Sequence, residues 1–235
     1  GGPYTGAPSL AGKAAYRAGA DLVYLAVPDE VKDVIAGFSP SFITKSLKGD
    51  RMYEEHIPKI IELSKKCDAA LIGPGIGTEE DTYTAIRGLL KKLEIPTILD
   101  ADALKAIKDH ESILKENTIL TPHKGEFKML TGKTTDLKNT ADDYAKENDV
   151  TLVIKGRVDY ITDGNKSKEN DFGTPAMTVG GTGDTLAGVI GALLSKNMAH
   201  FDAARVGTYL TCRAGEIAFE KTRWGLMPED VSESI

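Results

Sequence analysis

Residues 179–191 read VGGTGDTLAGVIG and place three glycines directly before an aspartate, Asp184, with helix-forming residues after it. A glycine-rich turn at the start of a helix aims several backbone N–H groups at one point, where the helix dipole also favours negative charge. The pattern is typical of a phosphate site, in which Asp184 would accept a proton from a group that attacks the phosphate. The alternative is a tight turn in which Asp184 only caps the helix.

Composition narrows the class of protein. The 235 residues are 41% hydrophobic and 27% charged, as in soluble globular proteins with a substantial core. A formal net charge of -6 argues against nucleic acid or an anionic membrane as the main partner. No apolar run reaches the roughly 18 residues of a membrane span, and no signal peptide is seen. Cys67 and Cys212 form no CxxC pattern, so we expect no disulfide framework or zinc site and a reducing, cytoplasmic setting.

Alternating strand and helix patterns predict the fold. Apolar runs typical of buried strands occur at residues 21–27, 68–72, 96–99, 118–121 and 150–155, with helical patterns between them. Strands that alternate with helices favour a parallel sheet, whereas the turn at Asp163 and Gly164 predicts a hairpin that makes the last part antiparallel. We therefore expect one α/β domain over residues 1–235, a three-layer sandwich with a mostly parallel central sheet and helices on both faces.

Glycines and polar residues directly follow the predicted strands. The GPGIG turn at residues 73–77 differs from the dinucleotide-binding fingerprint GxGxxG. Its glycines either provide only the backbone torsions of a tight turn or contact a ligand at the end of a strand. Asp100 and Asp102 could bind a metal or sugar hydroxyls, or simply cap a helix. His123 and Glu126 follow the next strand, although a lone histidine is usually structural.

A nucleotide site without a Walker motif is the remaining chemical prediction. The sequence has no G-x-x-x-x-G-K-[ST], HExxH or G-x-S-x-G motif, so P-loop chemistry is set aside. Lys155 supplies a cation at the end of a predicted strand and precedes Gly156 and Arg157. We expect the nucleotide near Gly181, Gly183 and Lys155, and a second ligand at the earlier strand ends.

Several motifs resemble those of a known family. The segment GGTGDTLAG resembles the G-x-G-D signature of ribokinase-like enzymes, whose glycine backbone forms an anion hole and whose aspartate is the catalytic base. The ordered set GGPYTGA, GPGIGT, DADAL, TPHKGEF, KGRVDYITDG and GGTGDTLAG is similar, more narrowly, to the ADP/ATP-dependent NAD(P)H-hydrate dehydratase family. This resemblance runs from Gly1 to about Pro228.

The resemblance implies a repair reaction with ADP or ATP as phosphoryl donor and Mg²⁺ as cofactor. The substrate would be NADH or NADPH hydrated on the nicotinamide ring, whose hydroxyl is phosphorylated and then eliminated as phosphate. Asp184 would be the base, with an anion hole at Gly181, Thr182 and Gly183, and Glu126 would organise magnesium. Nucleotide contacts are implied for Lys155, Gly156, Arg157, Val158, Asp159 and Gly183. Substrate contacts are implied for Ala7, Gly75, Gly77, Asp100, Asp102, His123 and Asp184.

The chain also departs from the family pattern. Many members carry threonine where Asp159 stands and often serine where Pro3 stands, and a strand commonly precedes the GG opening. We expect that first strand, and an epimerase domain fused in many prokaryotic members, to lie outside this chain. The family also implies a homo-oligomer. Two alternatives are a kinase of the same fold that acts on a thiazole or pyrimidine alcohol, and a non-catalytic nucleotide sensor.

Overall fold

The computed structural model describes residues 4–133 and 135–235, in which strands and helices alternate as predicted. The strands are β1 (Tyr24–Pro28), β2 (Ile43–Leu47), β3 (Ala70–Ile72), β4 (Thr97–Leu99), β5 (Thr118–Leu120), β6 (Thr151–Ile154), β7 (Asp159–Thr162) and β8 (Ser167–Asn170). The helices are α1 (Gly6–Arg17), α2 (Asp29–Gly37), α3 (Ile57–Ser64), α4 (Glu80–Lys92), α5 (Asp102–Ile107), α6 (Lys124–Thr131), α7 (Leu137–Asn148), α8 (Thr182–Ser195), α9 (His200–Thr222) and α10 (Pro228–Glu233).

The main sheet has six strands in the order β3-β4-β5-β6-β7-β8. Its first four strands are parallel, whereas β7 and β8 run antiparallel to their neighbours. The predicted change of direction at the hairpin is therefore confirmed. Strands β1 and β2 form a second, two-stranded parallel sheet.

Side-chain alternation along the main sheet builds two cores, one on each face. Ile98, Ile119 and Val153 pack into the cluster that contains residues of α8 and α9. Their neighbours Leu99 and Leu120 pack into the larger cluster on the opposite face, under α4, α5, α6 and α7. Since successive strand residues point to opposite faces, short fully apolar strands serve both cores at once. The three-layer α/β sandwich is confirmed.

One strand was not predicted from the sequence. Strand β2 lies in a section that reads as irregular, because its sequence ITKSL mixes polar and apolar residues. The strand lies at the outer edge of its sheet, where one side pairs with β1 and the side chains of Ile43 and Lys45 stay partly or fully exposed. Edge strands carry such polar side chains, so apolar periodicity does not reveal them.

Helix α8 packs tightly against α1 and α9 because a glycine lies at each contact. A Cβ atom on Gly188 would lie 2.1 Å from the carbonyl oxygen of Ala11 in α1. On the other side, a Cβ on Gly207 of α9 would lie 2.7 Å from the Ile190 side chain of α8. These contacts fix the position of the helix whose amino end carries Asp184.

In the described part of the chain, every helix is too short or too polar to cross a membrane. Cys67 and Cys212 are both free thiols.

The contact between α1 and α8 predicts that a methyl group added at Gly188 destabilises the fold. Gly188→Ala should lower the free energy of unfolding by about 3 kcal/mol, because the new Cβ meets backbone rather than a flexible side chain. Gly191→Ala, one turn later in the same helix, is the matched control: its Cβ would lie 3.6 Å from Ile98, an ordinary contact. That variant should be neutral or more stable by up to about 1 kcal/mol. Guanidinium unfolding measures both, and equal stabilities would contradict the packing argument.

Candidate active site

The glycine turn before α8 has the geometry of an anion site. Gly181, the N-cap of α8, has φ +104°, and a Cβ there would lie 2.5 Å from the Leu10 side chain, so only glycine fits. The hydroxyl of Thr182 donates to the carbonyls of Met177 (2.9 Å) and Val179 (3.0 Å) and so closes the loop. No side chain in the described residues caps the helix, and the N–H of Thr182 makes only a long, 3.5 Å hydrogen bond to the carbonyl of Val179, so the first turn can still donate to a ligand.

Asp184 lies in the first turn of α8 and is half-buried. Burial raises the pKa of its carboxyl to about 7; the negative charge of Asp100 adds to this rise, and the ammonium of Lys155 opposes it. A carboxyl that exchanges its proton near neutral pH is suited to act as a general base.

Lys155 connects this helix to the sheet edge. Its Nζ lies 2.7 Å from Oδ1 of Asp100, which also accepts a 2.8 Å hydrogen bond from the hydroxyl of Thr121. A Cβ on Gly183 would lie 3.2 Å from the same ammonium, so the cation sits directly beside the glycine turn. The N–H groups of the turn and one held ammonium therefore converge on one place.

Asp100 is almost completely buried, with 1% of its surface exposed. It follows β4, and its carboxylate is bonded to Lys155 and Thr121. We therefore infer that Asp100 holds Lys155 in place and acts on Asp184 through its charge. The predicted direct contact of Asp100 with the substrate is disfavoured, because so little of its surface is exposed.

The second glycine turn, residues 73–77, closes over the start of α5. A Cβ on Gly73 would lie 1.7 Å from the carbonyl oxygen of Asp100, and one on Gly75 would lie 3.2 Å from the Cβ of Ala7. The N–H of Gly77 donates to Oδ2 of Asp102 at 3.3 Å. The turn thus needs glycine for its conformation, and it also brings together four residues predicted to contact the substrate, Ala7, Gly75, Gly77 and Asp102.

His123 and Glu126 form a capping box at the start of α6. Nδ1 of His123 accepts hydrogen bonds from the N–H groups of Gly125 and Glu126, and the N–H of His123 donates to Oε2 of Glu126. The His123 ring is 60% exposed with Nε2 toward solvent and Glu126, so it remains open to a ligand while it caps the helix. The magnesium role of Glu126 stays a prediction, because its carboxylate already serves the cap.

The segment of residues 155–159 is the tight turn between β6 and β7. Arg157 and Val158 are exposed, whereas Asp159 is 7% exposed and accepts the N–H of Gly156 at 2.9 Å. Burial raises the pKa of Asp159, and hydrogen bonds from Gly156 and Asn170 oppose the rise. Asp159 therefore stabilises the turn through its buried carboxylate. The contacts with a nucleotide that were predicted for Asp159, Arg157 and Val158 stay predictions.

Some site residues were missed by sequence reasoning. Thr121 follows β5 just as Asp100 follows β4, and this shared position at a strand end was the available signal. Leu10 and Pro228, which enclose Gly181, come from the two ends of the chain and gave no local signal.

Known proteins share both the sequence and the architecture. A model of the NAD(P)H-hydrate dehydratase family matches residues 1–235. The chain belongs to this family. It is 36% identical over 239 residues to the bifunctional NAD(P)H-hydrate repair enzyme Nnr of Pyrobaculum aerophilum, covering 99% of this chain and 47% of the relative. It is 32% identical to the ADP-dependent (S)-NAD(P)H-hydrate dehydratase of Natrialba magadii, covering 99% of this chain and 86% of that one. The chain thus spans about half the length of the bifunctional relatives it matches.

Solved structures extend the likeness within the dehydratase family. The ADP/ATP-dependent NAD(P)H-hydrate dehydratase of Bacillus subtilis, co-crystallised with ATP/Mg²⁺ and soaked with CoA, has a TM-score of 0.84 at 26% identity over all of this chain and 86% of that one. A hydroxyethylthiazole kinase of Pyrococcus horikoshii has a TM-score of 0.65 at 19% identity, covering 95% of this chain and 90% of that one, which shows a shared fold alone.

The raised pKa of Asp184 predicts how stability depends on pH. The folded chain holds this proton up to about pH 7, whereas the unfolded chain releases it near 3.8, so stability contributed by the protonated form is lost as pH rises between these values. Asp184→Asn removes the penalty and should raise Tm by roughly 2–6 °C at pH 8 and leave it unchanged at pH 3.5. Thermal unfolding at both values, with Asp202→Asn in the first turn of α9 as control, measures this. An equal effect of Asp184→Asn at both pH values would contradict the assignment.

Proposed function

We propose that this chain dehydrates hydrated NADH or NADPH back to the intact cofactor, using ADP or ATP as phosphoryl donor. The observation that carries the proposal is the half-buried carboxyl of Asp184, with a pKa near 7, beside an ammonium and an uncapped glycine turn. A base beside an anion hole suits the attack of a hydroxyl on phosphorus. A relative named an ADP-dependent (S)-NAD(P)H-hydrate dehydratase supports the choice of substrate and nucleotide.

In the first step, Asp184 takes the proton of the ring hydroxyl as its oxygen forms a bond to the terminal phosphorus of the nucleotide. The bond from that phosphorus to the bridging oxygen breaks, and the shortened nucleotide leaves with the electron pair. The N–H groups of Gly181, Thr182 and Gly183, with the ammonium of Lys155, stabilise the charge on the transferring group. Asp100 and Thr121 hold that ammonium in place.

In the second step, the carbon–oxygen bond to the new phosphate ester breaks. The lone pair of the ring nitrogen forms the carbon–nitrogen double bond, phosphate leaves with the bonding electrons, and loss of a proton from the adjacent ring carbon restores the dihydronicotinamide. The same anion site that receives the phosphoryl group stabilises the departing phosphate.

The nucleotide and its magnesium fit the site in different ways. Lys155 and the exposed turn at Arg157 and Val158 offer a cation and a surface at the edge of the anion hole. In the described part of the chain, no cluster of three or more His, Cys, Asp or Glu side chains could hold a metal. Magnesium would therefore be carried chiefly by the phosphates and water, with at most one carboxylate such as Glu126, as is usual for this ion.

The hydrated cofactor would lie along the neighbouring strand ends. Ala7, Gly75 and Gly77 form one wall of this edge, and Asp102 fixes the N–H of Gly77. The exposed ring of His123 faces solvent from the next strand end. We propose that these residues contact the substrate, in agreement with the carboxyl-edge rule for parallel sheets.

We also propose a cytoplasmic homo-oligomer, with an epimerase domain joined or associated in the full-length protein. The exposed apolar side chains of Tyr209, Leu210 and Ile217 on α9 support self-association, because an interface would remove them from water. The bifunctional names of the relatives, of which this chain spans about half, support the second domain.

The activity itself is tested with hydrated NADH, magnesium and either ADP or ATP. Recovery of NADH absorbance is expected with the wild-type chain, and Asp184→Asn should lower kcat by about 10²–10⁴-fold while nucleotide binding changes little. Asp202→Asn, the control acid in α9, should keep full activity. A stable phosphorylated alcohol from another substrate would favour a kinase, and retained turnover in Asp184→Asn would remove its role as base.

Asp100 gives a separate test through the pH profile. Asp184 must be ionised to accept a proton. The rate constant kcat should therefore rise with pH along an acid limb whose midpoint lies near pH 7. Asp100→Asn removes a charge that raises the pKa of Asp184, so the limb should move to lower pH, and kcat should also fall as Lys155 loses its partner. Profiles of both forms at saturating nucleotide measure this. If the midpoint of the acid limb is the same in Asp100→Asn as in the wild type, Asp100 has a purely structural role.

A further inference from the structure

Lys124 is a charged residue at the carboxyl edge of the sheet that the proposed reaction leaves unused. It is the first residue of α6, and its side chain is exposed. Among the described residues, no carboxylate lies within ion-pair distance of its ammonium, and no hydrogen bond involves its side chain. Lys105 and Lys155, two other lysines near the strand ends, are each paired with an aspartate. The ammonium of Lys124 is therefore available to a ligand.

The strand ends bring Lys124 to the turn of residues 155–159. His123, the residue before it, pairs with Lys155 in a parallel bridge, so α6 begins directly beside the end of β6. A Cβ on Gly156 would lie 3.1 Å from Cε and 3.7 Å from Nζ of Lys124. The side chain of Lys124 thus crosses from α6 to this turn, and glycine at position 156 leaves room for it.

Helix stability gives no reason for a lysine at this position. The first turn is the positive end of the helix dipole, where a cation is unfavourable and an acid is favourable. The N–H groups of this turn are already capped by His123, with Glu126 as its partner. A cation that opposes the dipole and has no carboxylate partner is suited to an anion that a ligand supplies.

The charge balance of the site favours a further cation. The ammonium of Lys155 lies 2.7 Å from the carboxylate of Asp100, so the charges of this pair largely cancel. Asp184 adds a negative charge when it is ionised, and a nucleoside diphosphate or triphosphate brings several more. The ammonium of Lys124 would offset this repulsion at the turn where the nucleotide is proposed to lie.

The two ammonium groups lie beside different glycines. The group of Lys155 lies beside Gly183, where a Cβ would be 3.2 Å away, and the group of Lys124 lies beside Gly156. No atom of Lys124 lies within 4 Å of the Cβ position at Gly183. Since the transferring phosphoryl group is proposed to lie at the turn of Gly183, Lys124 is placed for the part of the phosphate chain that stays on the nucleotide.

We propose that Lys124 binds the phosphate next to the transferring one, which is the α-phosphate of ADP or the β-phosphate of ATP. When the bond from the transferring phosphorus to the bridging oxygen breaks, the electron pair stays on the shortened nucleotide, and the ammonium of Lys124 stabilises that charge without giving up a proton. This inference rests on the proposed phosphoryl transfer.

Three variants test the contact. Lys124→Met removes the charge and keeps a long side chain, Lys124→Arg keeps the charge, and Lys128→Met removes an exposed lysine one turn later in α6 as the matched control. With magnesium present, the Kd of ADP measured by calorimetry should rise about tenfold in Lys124→Met. It should stay within about threefold of the wild-type value in the other two variants.

Turnover and stability separate this role from a structural one. At saturating ADP, kcat should fall about tenfold in Lys124→Met and change little in Lys128→Met, because only the first removes a charge beside the leaving nucleotide. The Tm of Lys124→Met should equal that of the wild type or exceed it by up to about 3 °C, since an unfavourable charge leaves the start of α6. If Lys124→Met and Lys128→Met have the same Kd and kcat, the proposal is wrong.

The hydrated dinucleotide also carries phosphates, so NADPH is titrated as a second ligand. Its Kd should be the same in Lys124→Met as in the wild type. A Kd that rises for NADPH and not for ADP would overturn the proposal, because the lysine would then belong to the dinucleotide. In the wild type, the Kd of ADP should also rise more steeply with added KCl than in Lys124→Met.

These titrations need no turnover, so they distinguish this inference from the proposed function. Lys124-dependent binding of ADP in a chain that does not restore NADH from its hydrate would support the phosphate contact and refute the dehydratase reaction. Restored NADH together with an unchanged Kd of ADP in Lys124→Met would support the reaction and refute the contact.

Discussion

The glycine–aspartate turn at the start of α8 depends on how closely this helix packs against its neighbours. Glycine at position 188 lets the backbone of α1 pass within contact distance, and Gly207 gives the same freedom on α9. Because α8 cannot slide or tilt in such packing, its first turn is held at the carboxyl edge of the sheet. The packing thereby fixes the positions of the N–H groups after Gly181 and of the Asp184 carboxyl, and the proposed reaction needs such a preorganised site.

The charged side chains at this edge of the sheet differ in their burial and in their ion pairing. Asp100 is buried and paired with Lys155, so the ammonium can approach a glycine turn that is itself half-positive. Both charges act on Asp184, which forms no ion pair with any residue that the structure describes, and burial raises the pKa of its carboxyl. One carboxylate thus holds the cation, and the other is left to exchange a proton. The same residue type takes two roles because its surroundings differ.

The division of the strands into two sheets is the second constraint on this molecule. The edges of β1 and β3 face a cavity with apolar walls, while the other strands are fully paired in the described residues, apart from the outer edges of β2 and β8. Free strand edges are usually covered or shortened in native proteins. Gly73, Pro74 and Gly75 line this cavity, so it reaches the second glycine turn of the site.

Sequence alone determined the alternation of strands and helices, the hairpin and the glycine–aspartate turn, because apolar runs, glycine and capping residues act locally. The family followed from motifs in a fixed order. Strand β2 escaped detection because its edge position needs no apolar pattern. Only tertiary structure decided that Asp100 is buried against Lys155, that His123 and Glu126 serve a cap, and that Asp184 has a raised pKa. Burial and proximity arise between segments distant in sequence, so no local pattern records them.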